Sequence, residues 1–326
     1  MDIAVSPYHL TTREPPAIAA LMLARRVVTM RPAPVGEHGG LKGASGEQTA
    51  RRVPAYRRFI ESWAWSTPLW KDGLITGDYR GRSPVDDMWA VVEHVRRTGE
   101  CASLRRFFRQ DEYPDAEAYL RAVAADLLKG GPDPGISLPV AAGIDRFAAK
   151  HGLLVARARA ASLAQRVEAA IARPMFSVGV PTLTQASAER IVHARSVMHE
   201  ERDALGAAVR RIAASDDAPG REEMSDLHEA VTGYAQRFRD AREELLMGGA
   251  DDDIRVVEGV TTISAVRLPW DAVLTSSVRA LGVMAGGHAS DCADAEGSSP
   301  NLPALADGMA GRTVVALLIR NMGQAA

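Results

Sequence analysis

Apolar positions come in short runs at the start of the chain and in long helical stripes toward its middle. Ile3 and Val5 alternate ahead of Ser6-Pro7, as a short strand does. Pro15 and Pro16 suit the first turn of a helix that sets Ile18, Leu21 and Met22 on one face. Val27-Val28-Thr29-Met30 is short and largely β-branched, and Pro32 and Pro34 stop it. This β-α-β order predicts the seed of a small parallel sheet. From Tyr56 to Tyr119 the pattern turns helical. Phe59, Ile60 and Trp63 share one face, and Val85, Met88, Trp89, Val92 and Val95 share another. Tyr119, Leu120, Val123 and Leu127 form a further stripe before Gly130-Gly131-Pro132-Asp133-Pro134-Gly135, the strongest breaker in the chain. A short helix around Val140, Ile144 and Phe147 follows, then another through Leu163, Val167 and Ile171, closed by Arg173-Pro174.

Two stripes in the segment about 186–247 step by alternating threes and fours, the spacing of a coiled-coil seam. One runs Ile191, Ala194, Met198, Glu201, Leu205, Ala208, Ile212, and the other runs Met224, Leu227, Val231, Tyr234, Phe238, Ala241, Leu245. Ser215 to Gly220 breaks the helix between them, so the spacing predicts an antiparallel helical hairpin. Folding about that turn sets Ile212 against Met224, Leu205 against Val231, Met198 against Phe238 and Ile191 against Leu245. Glu201 alone interrupts the apolar seam, and it falls opposite Tyr234, whose hydroxyl suits a half-buried carboxylate.

Beyond the hairpin, Ile254–Val257 and Val260–Val266 flank Glu258-Gly259 and predict a β-hairpin over 254–266. Pro269 opens a helix striped by Trp270, Val273, Leu274, Val278 and Leu281. Residues 285–311 read as a long Gly-rich loop, and Val314–Ile319 as a closing strand or helix. The expected fold class is mainly α with an α+β arrangement. It combines the helical hairpin with a small sheet from the N-terminal strands, the 254–266 hairpin and the C-terminal strand. Three segments are expected: a basic, Trp-rich 1–130, a helical 131–250, and 251–326 packed back on the first.

Composition changes this picture in one respect. The 326 residues carry a net charge of −2, which excludes a uniformly basic coat. Residues 1–110 hold 17 Lys or Arg against 11 Asp or Glu, while the remainder holds 22 against 30. Neutrality is thus the sum of a basic and an acidic part, expected to contact one another. Cys101 and Cys292 belong to no CxxC pair, so zinc, iron–sulfur and dithiol chemistry lack ligands. No stretch reaches the ~20 apolar residues of a membrane span, and the run Ala17–Ala24 is laid out wrongly for a signal peptide. A cytoplasmic location without membrane association is the expectation.

Candidate chemistry is sparse. The Gly-rich stretch 35–49 fails the phosphate-loop pattern, because Lys42 precedes Gly43 rather than Ser or Thr. Gly43-Ala44-Ser45-Gly46 is no nucleophile elbow. Trp63, Trp65, Trp70 and Trp89 fall close together and form either core or the lining of a ligand pocket or interface. Arg57, Arg58, Arg96, Arg97, Arg105, Arg106 and Arg109 alternate with aromatic residues, the combination that holds phosphates while rings stack on bases. Glu189, His193, His199, Glu200 and His228 do not converge on an ion, since His193 and His199 lie roughly 240° apart around a helix. Asp251-Asp252-Asp253 lacks the ligand pattern of a calcium loop. Neither a metal nor a cofactor is expected. The leading expectation is a non-catalytic interaction or assembly protein that binds a protein partner or itself through the hairpin. The alternatives are nucleic-acid binding through the arginines and an enzyme with a Trp-lined pocket.

Overall fold

The computed structural model describes residues 1–31, 62–98, 113–129, 133–158, 174–214, 220–246, 254–258 and 261–266. Its centre is a six-stranded sheet. β1 (Asp2–Val5) pairs in parallel with β2 (Arg26–Thr29) and β4 (Leu154–Ala158), and β2 pairs in parallel with β3 (Ile75–Thr76). β8 (Thr261–Val266) lies antiparallel between β4 and β5 (Pro174–Gly179), giving the order β3-β2-β1-β4-β8-β5. The strands come from all three composition segments of the chain. Ile3, Ala4, Val5, Val27 and Val28 are fully buried, as expected of parallel strands covered on both faces.

Two helices supply that cover. α2 (Pro15–Leu23) and α6 (Pro134–His151) each pack on β1, β4 and β8. Right-handed crossovers place them on opposite faces, because β1-α2-β2 steps one way across the sheet and β3 returns the other way through α6 to β4. α2 is apolar all round, and every residue from Pro16 to Leu23 is buried. It is a core element and not the one-faced helix that the Ile18/Leu21/Met22 spacing suggests.

α6 carries Pro139 in its interior, which removes the amide that would bond to the Gly135 carbonyl. The hydroxyl of Tyr119, from α5 (Ala116–Leu128), donates to that carbonyl at 2.9 Å instead. α4 (Pro84–Thr98) crosses α6 at close range and runs antiparallel to it. At one end of the crossing, Asp87 pairs with Arg146 at 2.8 Å and accepts from Lys150 at 2.6 Å.

α1 (Pro7–Thr11) and α3 (Thr67–Lys71) are short connectors. α7 (Ala188–Val197) docks on α2. The Arg195 guanidinium reaches the carbonyls of Leu21 at 2.5 Å, Met22 at 3.4 Å and Ala24 at 2.7 Å. It thereby satisfies the orphan acceptors at the end of α2. Burial lowers its pKa to about 10. After a break at Met198 come α8 (His199–Ala214), α9 (Arg221–Asp240) and α10 (Arg242–Leu246). α8 and α9 pack on one another, with Arg211 on Asp226 at 2.9 Å and Arg237 donating to the Val197 carbonyl at 3.5 Å. Each buries one stripe, Leu205, Ala208, Val209 and Ile212 on α8, and Leu227, Val231, Tyr234 and Phe238 on α9.

The expected 254–266 β-hairpin is not formed. β7 (Val256–Val257) pairs with β6 (Thr182–Leu183) in a separate two-stranded sheet, while β8 lies inside the large sheet. The six-residue β8 gains ladder partners on both edges there, whereas pairing with a two-residue strand would leave most of its backbone without one. The sheet is correspondingly larger than the small one expected. The helix around Leu163, the loop 285–311 and the strand Val314–Ile319 lie outside the described residues. Among those described, no helix is long and apolar enough to cross a membrane.

Candidate functional site

Adjacent parallel strands whose connections depart toward opposite sides leave a crevice at their carboxyl ends. The strand order puts that switch point between β1 and β4. The chain leaves β1 through Ser6-Pro7-Tyr8-His9. Ser6 Oγ caps α1 by accepting from the Tyr8 amide at 3.4 Å. The Tyr8 hydroxyl donates to Asp126 Oδ2 at 2.6 Å, and the Asp133 amide donates to both Asp126 oxygens at 3.1 and 3.0 Å. One carboxyl group therefore ties the turn after β1 to the end of α5 and the start of α6. Beside it, buried His9 presents Nδ1 to Glu14 Oε2 at 2.6 Å, and Thr12 Oγ1 donates to Glu14 Oε1 at 3.0 Å.

The electrostatics follow from burial and partners. Burial pushes the Glu14 carboxyl upward, but the bond and charge of His9 outweigh it and hold its pKa below the usual range. At Asp126 burial wins over the donors Tyr8 and the Asp133 amide, and the pKa is raised. Burial, then the bond to Asp126, drives the Tyr8 phenol upward.

A raised carboxyl pKa means that the folded state binds this proton more tightly than the unfolded chain does. Its stabilising share is complete below the unfolded value of 3.8 and is lost as pH rises through the folded value. Asp126→Asn is therefore expected to gain stability relative to the wild type as pH rises from about 4 to 7. Urea denaturation at several pH values reads this directly, and a difference independent of pH would refute it.

The helix starts at this edge have few amides to offer. α2 opens with Pro15-Pro16, which carry none, and Ser6 occupies that of Tyr8. Asp133 Oδ1 takes the Gly135 amide at 2.9 Å, and its carbonyl takes those of Ile136 and Ser137. A phosphate would need such amides free. The polar groups actually placed here are Glu14, Asp126, Asp133, Tyr8, His9 and Ser6. They suit hydroxyl or amino groups on a ligand better than an anion.

The residues singled out in the sequence are distributed differently. Trp63 and Trp70 are 3% and 6% exposed and stack at 5.6 Å between centroids within the main core. Trp63 Nε1 donates to Thr11 Oγ1 at 2.7 Å, and Trp70 Nε1 donates to Ser66 Oγ at 3.1 Å. Half-buried Trp65 lies under Arg13, and half-buried Trp89, on α4, lies under Arg96. Arg96 also donates to Glu93 and to the Tyr113 carbonyl. Arg97 lies on α4, while Arg57, Arg58, Arg105, Arg106 and Arg109 fall outside the described residues. Tyr234 is fully buried, and its hydroxyl has no hydrogen-bond partner among the described residues. Burial raises its pKa, with half-buried Glu201 adding to the effect.

His193, His199 and His228 are exposed, and the described residues contain no group of three ligating side chains able to hold a metal. Loop 35–49 and Asp251–Asp253 lie outside them. Sequence reasoning passed over Tyr8, His9, Glu14 and Asp126. No spacing marks them, because Tyr8 and Asp126 meet only through the fold, and the step from His9 to Glu14 crosses a turn. No protein-family model matches the chain, and no curated protein or solved structure is found to resemble it significantly.

Proposed function

We propose that this protein binds a small polar ligand at the carboxyl edge of its parallel sheet, in the crevice between β1 and β4. The observation that carries this reading is the strand order, which sets a topological switch point beside the Tyr8–Asp126 and His9–Glu14 pairs. The ligand presents hydroxyl or amino groups, since the side chains that pair with one another beside the switch point are carboxylates, a phenol and an imidazole. A group exchanging into those pairs must match them, while the helix-start amides are already held within the chain. The test is a thermal-shift screen of sugars, polyols, polyamines and nucleosides, each nucleoside run beside its nucleotide. At least one unphosphorylated compound is expected to raise the melting temperature, and Ser6→Ala/His9→Gln is expected to abolish that shift. A response confined to phosphorylated compounds, or none at all, would overturn the reading.

A second reading, a protein-interaction role for the α8–α9 pair, is favoured by one observation. Each of these helices buries a single stripe against the other and leaves the rest of its circumference polar and largely exposed. Fusing residues 186–247 to a tag would not isolate this role, because α7 is part of the core. Pull-down by the full chain with and without charge reversal at Glu222 and Glu229 addresses it. Identical partner recovery from both proteins counts against it.

A further inference from the structure

The opposite, amino edge of the sheet has the reverse electrostatic character. Tyr79 is its centre: the ring is 5% exposed, packs edge-on to His151 at 5.9 Å, and has Arg26 at 5.1 Å and Arg80 at 5.2 Å over it. Arg80 and Gly81 both have positive φ, 55° and 74°, and the Tyr79 and Arg82 backbones exchange hydrogen bonds at 2.9 and 3.1 Å. This is a two-residue hairpin loop of the I′ kind, which needs the freedom of glycine at its second position. It carries Arg80 and Arg82, both exposed, with the Arg80 guanidinium over the ring.

The carboxylates of this edge are outnumbered. Asp2 is shared by Arg25 and Arg26 at 2.9 and 3.4 Å. Asp87 is shared by Arg146 and Lys150. Asp78 spends one oxygen on the Gly81 amide at 3.0 Å. Neither Arg80 nor Arg82 makes an ion pair among the described residues, and both are exposed, as are Arg25 and Lys150.

We infer that this edge, Arg25, Arg80, Arg82 and Lys150 around Tyr79, is a docking surface for the phosphate backbone of a nucleic acid. Three observations select that partner. The two cations that make no ion pair among the described residues, Arg80 and Arg82, are guanidinium groups, which match phosphate oxygens bidentately. Both stand on the tight loop beside the buried Tyr79 ring, whereas Arg25 and Lys150 are already paired with Asp2 and Asp87. The charge is local in a chain whose net charge is −2, so it steers one face only. Val192 is the sole large apolar side chain exposed among the described residues and lies on α7, so this edge offers no apolar centre of the kind protein interfaces use.

The test is fluorescence anisotropy of a labelled short DNA duplex titrated with the full chain. Binding is expected at about 50 mM salt and should weaken at least tenfold by about 200 mM. Arg80→Gln/Arg82→Gln, with both sites exposed, is expected to weaken binding about tenfold and lower the salt slope by about two. Its melting temperature should be unchanged, and Arg221→Gln/Arg239→Gln on α9 should bind as the wild type does. Absence of binding at low salt, or equal affinity of the Arg80/Arg82 variant and the wild type, would overturn the proposal. So would displacement of the duplex by polyglutamate at equal charge concentration, which would mark a surface that reads acidic side chains and not phosphates.

Discussion

Gly143→Ala is expected to destabilise the protein by about 2 kcal/mol, even though alanine is the better helix former by about 1 kcal/mol. Position 143 is where α6 meets α4. A Cβ built on Gly143 would stand 2.5 Å from the Met88 Cα, 2.7 Å from the Met88 nitrogen and 2.8 Å from its Cβ. Backbone cannot swing aside as the tip of a side chain can, so the two helices must separate. Met88 is fully buried, and Val91 and Ala142 beside it are 3% exposed, so separation opens voids along the crossing. Gly143→Leu should prevent folding altogether. Gly233→Ala on α9 is the control: nothing lies within 4 Å of its Cβ position, and the change should stabilise by about 0.5–1 kcal/mol. Chemical denaturation of the three variants decides the matter, and a stabilised Gly143→Ala would mean that α4 and α6 do not approach as described.

The second large effect is expected at Asp145 and Arg157. Asp145 on α6 and Arg157 on β4 are 3% and 5% exposed and form an ion pair that joins helix to sheet. Taking two charges out of water is costly, and what makes the pair tolerable is that each compensates the other. Asp145→Ala removes the carboxylate facing a buried guanidinium, and Arg157→Met removes the guanidinium facing a buried carboxylate. Either single change should cost about 3–5 kcal/mol. Replacing both with apolar residues, as in Asp145→Leu/Arg157→Met, should recover most of that loss, because no uncompensated charge remains. The double-mutant cycle is the measurement, and strictly additive losses would show that the pair is not the coupling contact.

The readable parts of the fold are those where local pattern and tertiary need coincide. Ile3–Val5, the prolines that open α2 and Val27–Thr29 announce a parallel β-α-β unit, because burial of both strand faces requires β-branched and apolar runs. The 254–266 segment misleads for the complementary reason. Gly259 between two apolar runs suits a hairpin locally, yet β8 finds two partners in the main sheet, and no local pattern encodes a preference for distant strands. β4 and β5 escape notice because Leu154–Ala158 follows a helix directly and short apolar runs carry no period of their own. The candidate site is least legible of all. Its bonds span Tyr8 to Asp126, and a tyrosine near the start of the chain and an aspartate on a helix look like surface residues until the sheet order brings them together.

Amide hydrogen exchange of the intact protein, with and without the unphosphorylated compound giving the largest thermal shift, tests the ligand site most directly. Added protection is expected in Val5–Leu10 and Pro134–Leu138, the segments that meet at the β1–β4 switch point, with α8 and α9 unchanged. Protection confined to α8 and α9, with the carboxyl edge of the sheet unaffected, would contradict it.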